Sequence, residues 1–199
     1  MTLTQYFTAT SIDGYIADEH NSLDWLFEAD GSSGEDRADG AAEEPAGDGF
    51  RRFFAGIGAM ALGATTYEWM LEHERMLDHP EKWQGWYGQT PAWVFTHRKL
   101  PAVPGIPLHF VADDVVGTHA AMVEAAAGRN IWLIGGGGLV GQFADHGLLD
   151  EIILGVAPVT LGAGAPVLPR RLTSRSLTLT QLSRDDNGFA NLTYRVRHG

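Results

Sequence analysis

The sequence predicts an α/β fold: a mostly parallel central sheet with helices on both faces, ended by a C-terminal antiparallel hairpin. Three observations predict it. Short apolar runs alternate with helical patterns between residues 50 and 156, and parallel strands need crossover helices of that kind. Two of those runs pass through small-residue turns straight into a helix, at Gly63 and at Gly135–Gly138. The C-terminal stretch instead carries two β-rich segments around Asp186-Asn187-Gly188, a hairpin turn signal.

Taken in order, Leu3 to Ala9 has the length and β-propensity of a strand, and Ser11-Ile12-Asp13-Gly14 supplies a turn before Tyr15-Ile16-Ala17. After Trp25-Leu26-Phe27, residues 28–46 are rich in Gly, Ala and acids and bury too little apolar surface to order themselves, so they read as a mobile insertion. Phe50, Phe53, Phe54 and Ile57 recur at helical spacing, closed by Gly56 and Gly58 before the strand Ala59 to Leu62. A helix from Thr65 to Glu72 follows, then a Trp-rich loop from Glu81 to Gln89, then the buried-type strand Ala92 to Phe95. Leu108 to Val111 is a further strand, and Asp113 and Asp114 cap an Ala-rich helix ending at Gly128. Asn130 to Ile134 is a strand, Leu139 to His146 a helix, and Ile152 to Val156 the next strand. In the hairpin, Leu177, Leu179 and Leu182 with Leu192, Tyr194 and Val196 provide one apolar face.

Composition narrows the function classes. At 199 residues, 44% hydrophobic, with no apolar run long enough to cross a membrane, the chain suits one soluble domain over 1–199 with one core. It has no Cys, which excludes disulfides, thiol nucleophiles and thiolate metal sites. The opening residues MTLTQYFTAT lack the basic start and long apolar stretch of a signal peptide, so a cytoplasmic location is expected. The formal net charge is −11, and residues 28–48, with eight acids and one Arg, hold most of it. With no basic stripe to offset that surface, neither nucleic acid nor membrane is an expected partner.

Gly136, Gly138 and Gly141 satisfy G-x-G-x-x-G, a pattern in which backbone without side chains lets a pyrophosphate sit on the N-terminus of the next helix. Glycines also permit a tight strand-to-helix turn with no ligand, but four in succession leave the helix start open to an anion. Gly63-Ala64-Thr65-Thr66 repeats the strand–turn–helix arrangement, with Thr65 or Thr66 able to cap the helix or to offer a hydroxyl to phosphate. Thr96, His97 and Arg98 end a buried strand, where ligands of open α/β sheets gather; charges at strand ends are also commonly just solvated.

Ser11-Ile12-Asp13-Gly14-Tyr15-Ile16-Ala17, Gly63-Ala64-Thr65-Thr66-Tyr67-Glu68, the run Ile134 to Gly138, and Leu148-Leu149-Asp150-Glu151 followed by Ala157 to Gly164 together resemble the dihydrofolate reductase-like superfamily. The resemblance is closest to the branch containing the reductase domain of the bifunctional riboflavin-biosynthesis deaminase-reductase. It implies a dihydrofolate reductase-like fold that binds NADPH, with backbone groups around Ala9 and Ile16 holding the nicotinamide carboxamide. It further implies that Gly63, Ala64, Thr65 and Thr66, and Gly135, Gly136, Gly137 and Gly138 with Leu139 and Val140, cradle the pyrophosphate. Thr96, His97 and Arg98 fall where the adenosine 2′-phosphate is read, which favours NADPH over NADH. One departure is Ala64, where the family often has a phosphate-pairing Arg.

Hydride transfer is the cofactor's chemistry, so the protein need only orient the nicotinamide, hold the acceptor and manage one proton. Asp48 is the positional match to the carboxylate that binds the pterin in dihydrofolate reductase; a helix-capping or solvated Asp is the other reading. Asp13 reads as a turn former before an acid. Trp25 lines the acceptor pocket or anchors its loop. Glu72-His73-Glu74 with Asp78-His79 lacks the spacing of a metal motif, so no metal is expected. The expected activity is reduction of a small heterocycle, the ribosylaminopyrimidine of riboflavin biosynthesis first. The alternatives are a dihydrofolate or other pteridine reductase and an NADP-binding module without turnover. A homodimer that covers the hairpin edge is expected.

Overall fold

The computed structural model describes residues 1–29 and 48–198. The first elements in chain order are β1 (Thr4–Thr10), β2 (Tyr15–Ala17), α1 (Asp24–Ala29), α2 (Asp48–Ala55), β3 (Ile57–Gly63), α3 (Ala64–His73), α4 (Pro80–Tyr87) and β4 (Ala92–Phe95). They are followed by β5 (Leu108–Val111), α5 (Val115–Ala126), β6 (Asn130–Gly135), α6 (Gly137–Asp145), β7 (Glu151–Val156), β8 (Ala165–Pro166), β9 (Leu177–Arg184) and β10 (Ala190–Val196). The alternation of strands with helices, the parallel pairing and the antiparallel C-terminal strands are those the sequence predicts. Of the residues read as a mobile insertion, Glu28 and Ala29 end α1, and 30–46 lie outside the described residues.

The described residues gather into two compact units, 1–4 with 48–135 and 5–29 with 136–198. In the first unit the strands run in the order β5-β4-β3-β6, all parallel. β3 and β4 are buried almost throughout, as expected of parallel strands covered on both faces. Phe50, Phe53 and Phe54 of α2 pack edge-on against Trp132 of β6.

Two expectations fail in this unit. Ile57 opens β3 instead of closing the preceding helix, paired with Asn130 and 1% exposed. Gly58 is the reason: a β-carbon there would stand 2.4 Å from the Ala126 carbonyl oxygen, so this glycine lets α5 approach the strand and does not end a helix. The Trp-rich stretch is the helix α4, with Pro80 in its first turn, where the fixed φ of proline is already helical. Trp83 and Tyr87, one turn apart, are its buried residues.

In the second unit the order is β1-β7-β10-β9, with β1 and β7 parallel and the other pairs antiparallel. β8, which the sequence did not announce, pairs with β2 through Tyr15–Pro166 and Ala17–Ala165. Trp25, Ala157 and Phe189 form a buried cluster with Ala9, Leu26, Val159 and Leu161 against it. Tyr6, fully buried, donates its O–H to the Val167 carbonyl at 2.9 Å.

Candidate functional site

In the first unit the C-terminal ends of three adjacent parallel strands stand side by side. Gly63 of β3 pairs with Phe95 of β4, just before Thr96, and Leu62 pairs with Gly135 of β6. A β-carbon on Gly63 would lie 3.8 Å from the Gly135 carbonyl oxygen, and one on Gly135 would lie 3.5 Å from Thr66 Oγ1. Gly63, Thr66, Thr96 and Gly135 thus share the edge where ligands of parallel sheets collect.

Helix α3 starts from this edge without a side-chain cap. Its N-cap is Gly63 in extended conformation, with no side-chain cap hydrogen bond among the described residues, and its first amides have no intrahelical acceptor. Thr65 and Thr66 lie within the first turn and do not cap the helix as the sequence suggested. At α5, by contrast, the expected cap is present: Asp114 accepts from the Gly117 amide at 2.8 Å.

Thr96 is buried, and its amide donates to the Val111 carbonyl at 2.7 Å. Its Oγ1 accepts the Arg98 amide at 2.9 Å, which leaves the hydroxyl hydrogen to donate. His97 Nε2 is 3.0 Å from Asp113 Oδ1. The Arg98 guanidinium donates to Glu68 of α3, and the neighbouring Tyr67 donates its O–H to the Pro101 carbonyl at 2.7 Å. Burial pushes the Tyr67 phenol up to about 12. Helix α3 therefore fastens the segment after β4 through two consecutive side chains. The sequence indicates the cations but not their carboxylate partners; Glu68 ends the motif that begins at Gly63, and its pairing across elements has no sequence signal.

In the second unit α6 starts at Gly137, two residues earlier than expected, behind the extended N-cap Gly136 and again without a side-chain cap. The glycines differ in what they permit. A β-carbon on Gly137 would stand 2.4 Å from the Pro166 carbonyl oxygen and 2.6 Å from that of Val167, and one on Gly141 would stand 2.8 Å from Arg170 Cζ. At Gly136 and Gly138 a β-carbon would meet nothing within 4 Å among the described residues. Leu139 and Val140 are buried, and their amides bond the Gly136 carbonyl at 3.0 and 3.2 Å. The amides of Gly137 and Gly138, at the helix start, precede any intrahelical acceptor.

Ala9 lies on β1 beside Gly155 of β7, and Ile16 on β2, both half-buried. The turn between them is fastened to the segment after β7. Asp13 accepts from Ser11 Oγ at 2.6 Å, from the Gly162 amide at 2.7 Å and from the Leu161 amide at 3.1 Å. The Ile12 amide donates to the Val159 carbonyl, and that of Val167 to the Gly14 carbonyl. The Ser11 hydroxyl and the Gly162 amide, with that of Leu161, hold the Asp13 carboxyl below the usual carboxylate range, and Asp13 clamps the turn to the segment after β7. Trp25 is 8% exposed, and its indole N–H has no partner among the described residues. Asp48 opens α2, and its side chain lies outside the described residues.

The His- and acid-rich run that spans the end of α3 and the segment after it makes several local pairs. His73 stacks on Trp69, Arg75 pairs with Asp78, Lys82 with Glu74 and His79 with Glu81. Among the described residues no group is arranged to hold a metal ion.

The fold and the sequence have counterparts. The uncharacterized protein YwjB of Bacillus subtilis is 29% identical over 182 residues, covering 88% of each chain. A Shewanella sp. PV-4 protein assigned by its name to riboflavin biosynthesis superposes with a TM-score of 0.73 at 21% identity, over 98% of this chain and 99% of that one. The diaminohydroxyphosphoribosylaminopyrimidine deaminase/5-amino-6-(5-phosphoribosylamino)uracil reductase of Thermotoga maritima gives 0.60 at 14% identity, over 98% of this chain and 57% of that one. Dihydrofolate reductase of Enterococcus faecalis, complexed with NADP(H), gives 0.55 at 13% identity, over 98% and 97%. These superpositions show the dihydrofolate reductase-like fold. The RibD C-terminal domain family matches residues 3–190, and this chain belongs to it.

Proposed function

We propose that this chain is an NADPH-dependent reductase of a small heterocyclic substrate, of the 5-amino-6-(5-phosphoribosylamino)uracil reductase type in riboflavin biosynthesis, acting in the cytoplasm. Membership of the RibD C-terminal domain family over residues 3–190 carries the reading. The residues present fit the cofactor. The starts of α3 and α6 have no side-chain cap hydrogen bond among the described residues, and open space at Gly136 and Gly138 suits close approach of a phosphate.

NADPH, when bound, supplies the hydride. In the first unit Gly63 and Ala64 keep the start of α3 clear, Thr65 and Thr66 offer hydroxyls to phosphate, and Thr96, His97 and Arg98 take the adenosine 2′-phosphate. Gly135 ends its strand on the same edge. In the second unit the turn from Gly136 to Val140 receives the pyrophosphate on the amides of Gly137 and Gly138, and the backbone at Ala9 and Ile16 holds the carboxamide. The Trp25 indole N–H, buried and without a partner among the described residues, is a donor for the acceptor substrate, since such a donor costs about 1–3 kcal/mol when left unpaired. Asp48 supplies the carboxylate that binds the heterocycle and manages the proton.

Loss of nicotinamide absorbance with a substrate panel tests this reading. Oxidation of NADPH by the ribosylaminopyrimidine is the expected result. Oxidation by dihydrofolate or a pteridine alone would move the substrate assignment, and saturable NADPH binding with no turnover would make the chain a binding module. No binding of either nicotinamide cofactor would overturn the reading.

A further inference from the structure

We propose that Glu68 is a specificity-determining residue: by holding Arg98 it weakens recognition of an adenosine 2′-phosphate and so narrows the preference for NADPH over NADH. The inference rests on the cofactor reading above and deepens it.

Arg98 is the side chain in the Thr96–Arg98 segment with a fixed positive charge, and its guanidinium is bound to the Glu68 carboxylate. Glu68 is the more enclosed partner, with its side chain 30% exposed against 58% for Arg98. His97, the second group assigned to the 2′-phosphate, faces Asp113, whose neighbour Asp114 is fixed as the cap of α5. Both charged side chains assigned to the 2′-phosphate therefore already face a carboxylate, Arg98 facing Glu68 and His97 facing Asp113. Ala64 adds no compensating charge.

A phosphate arriving there must share Arg98 with Glu68 or displace it, and the displaced carboxylate repels the dianion. An unphosphorylated ribose meets no such repulsion, because a 2′-hydroxyl can donate to a carboxylate. The arrangement is held independently of the ion pair. Tyr67 bonds the Pro101 carbonyl and Thr96 bonds the Arg98 amide, so neutralising Glu68 leaves the backbone of this segment in place and frees the donors of the guanidinium.

Calorimetric titration of the full chain with NADPH and with NADH tests this, in the wild type, Glu68→Gln, Arg98→Gln and the double variant. Glu68→Gln should tighten NADPH by about two- to fivefold, the range of a partly exposed ion pair, with NADH unchanged or weaker. In the Arg98→Gln background the same substitution should give no gain, since Glu68 acts through Arg98. Glu68→Met, uncharged and of similar length, replaces Gln if Gln lowers the melting temperature. An unchanged NADPH-to-NADH affinity ratio in a folded Glu68 variant, or a gain that persists without Arg98, overturns the inference while the cofactor reading stands. Absence of binding by either cofactor in the wild type removes both.

Discussion

At Gly137 a β-carbon would stand 2.4 Å from a backbone oxygen, whereas one position on, at Gly138, it would meet nothing within 4 Å. A carbonyl oxygen cannot rotate away as a side chain can, so Gly137→Ala forces the α6 start and the Pro166–Val167 segment apart, at about 1–3 kcal/mol. Gly138→Asp meets no clash, and an acid in the first turn suits the helix dipole, but it sets a negative charge where a pyrophosphate is expected. Melting curves and NADPH titrations should separate the two: Gly137→Ala lowers the melting temperature, and Gly138→Asp keeps it while losing most of the affinity. Full NADPH affinity in folded Gly138→Asp would show that the open glycines face no phosphate. The four glycines are indistinguishable in the sequence because what separates them, Pro166, Val167 and open space, comes from elsewhere in the chain. Gly141 shows the same limit: it fits a dinucleotide fingerprint, yet Arg170, held by Asp145 at 2.8 Å, lies against it.

Between elements, the turn joining β1 to β2 is held by a charge. Asp13 takes the Ser11 hydroxyl and the Gly162 and Leu161 amides, and these donors lower its carboxyl pKa. A carboxyl with a depressed folded pKa stabilises the fold above its unfolded value of about 4 and loses that contribution as the pH falls through the folded value. Asp13→Asn should therefore melt below the wild type at pH 7, with the gap closing in acid as the wild-type carboxyl protonates. A gap that stayed constant into acid would mean that the clamp does not depend on charge. Asp-Gly in the sequence signals a turn but not what the turn is fastened to. Element order was legible because it follows local apolar periodicity and small-residue turns. α4 was not, since its Trp-rich composition masked a four-residue spacing of Trp83 and Tyr87, and β8 is too short at Ala165–Pro166 to leave a pattern.

At the scale of the whole molecule, β9 presents a sheet edge. It ends the strand order of the second unit, and a β-edge left open is a site for pairing with another chain. Its leucines share a face because of one irregularity. Leu182 pairs with Leu192, Leu179 with Tyr194 and Leu177 with Val196, and the register shift between Thr193 and Tyr194 leaves Thr180 outside the pairing. The hairpin thus forms the apolar face the sequence predicts, but the chain does not bury all of it: Leu179 is 47% exposed and Leu182 65%. We propose that a second copy of the chain covers this face in a two-fold dimer, since an isologous contact closes on itself and leaves no free edge. Leu182 packs little within its own chain, so Leu182→Glu should not disturb the monomer fold, while burial of an unpaired carboxylate at the contact opposes association. Light scattering over a dilution series should show a wild-type dimer at micromolar concentration and a folded, monomeric Leu182→Glu variant. A wild-type monomer would leave Arg184, Arg195 and Arg197 as the guards of a solvated edge, and a dimer that survives Leu182→Glu would place the contact on another surface.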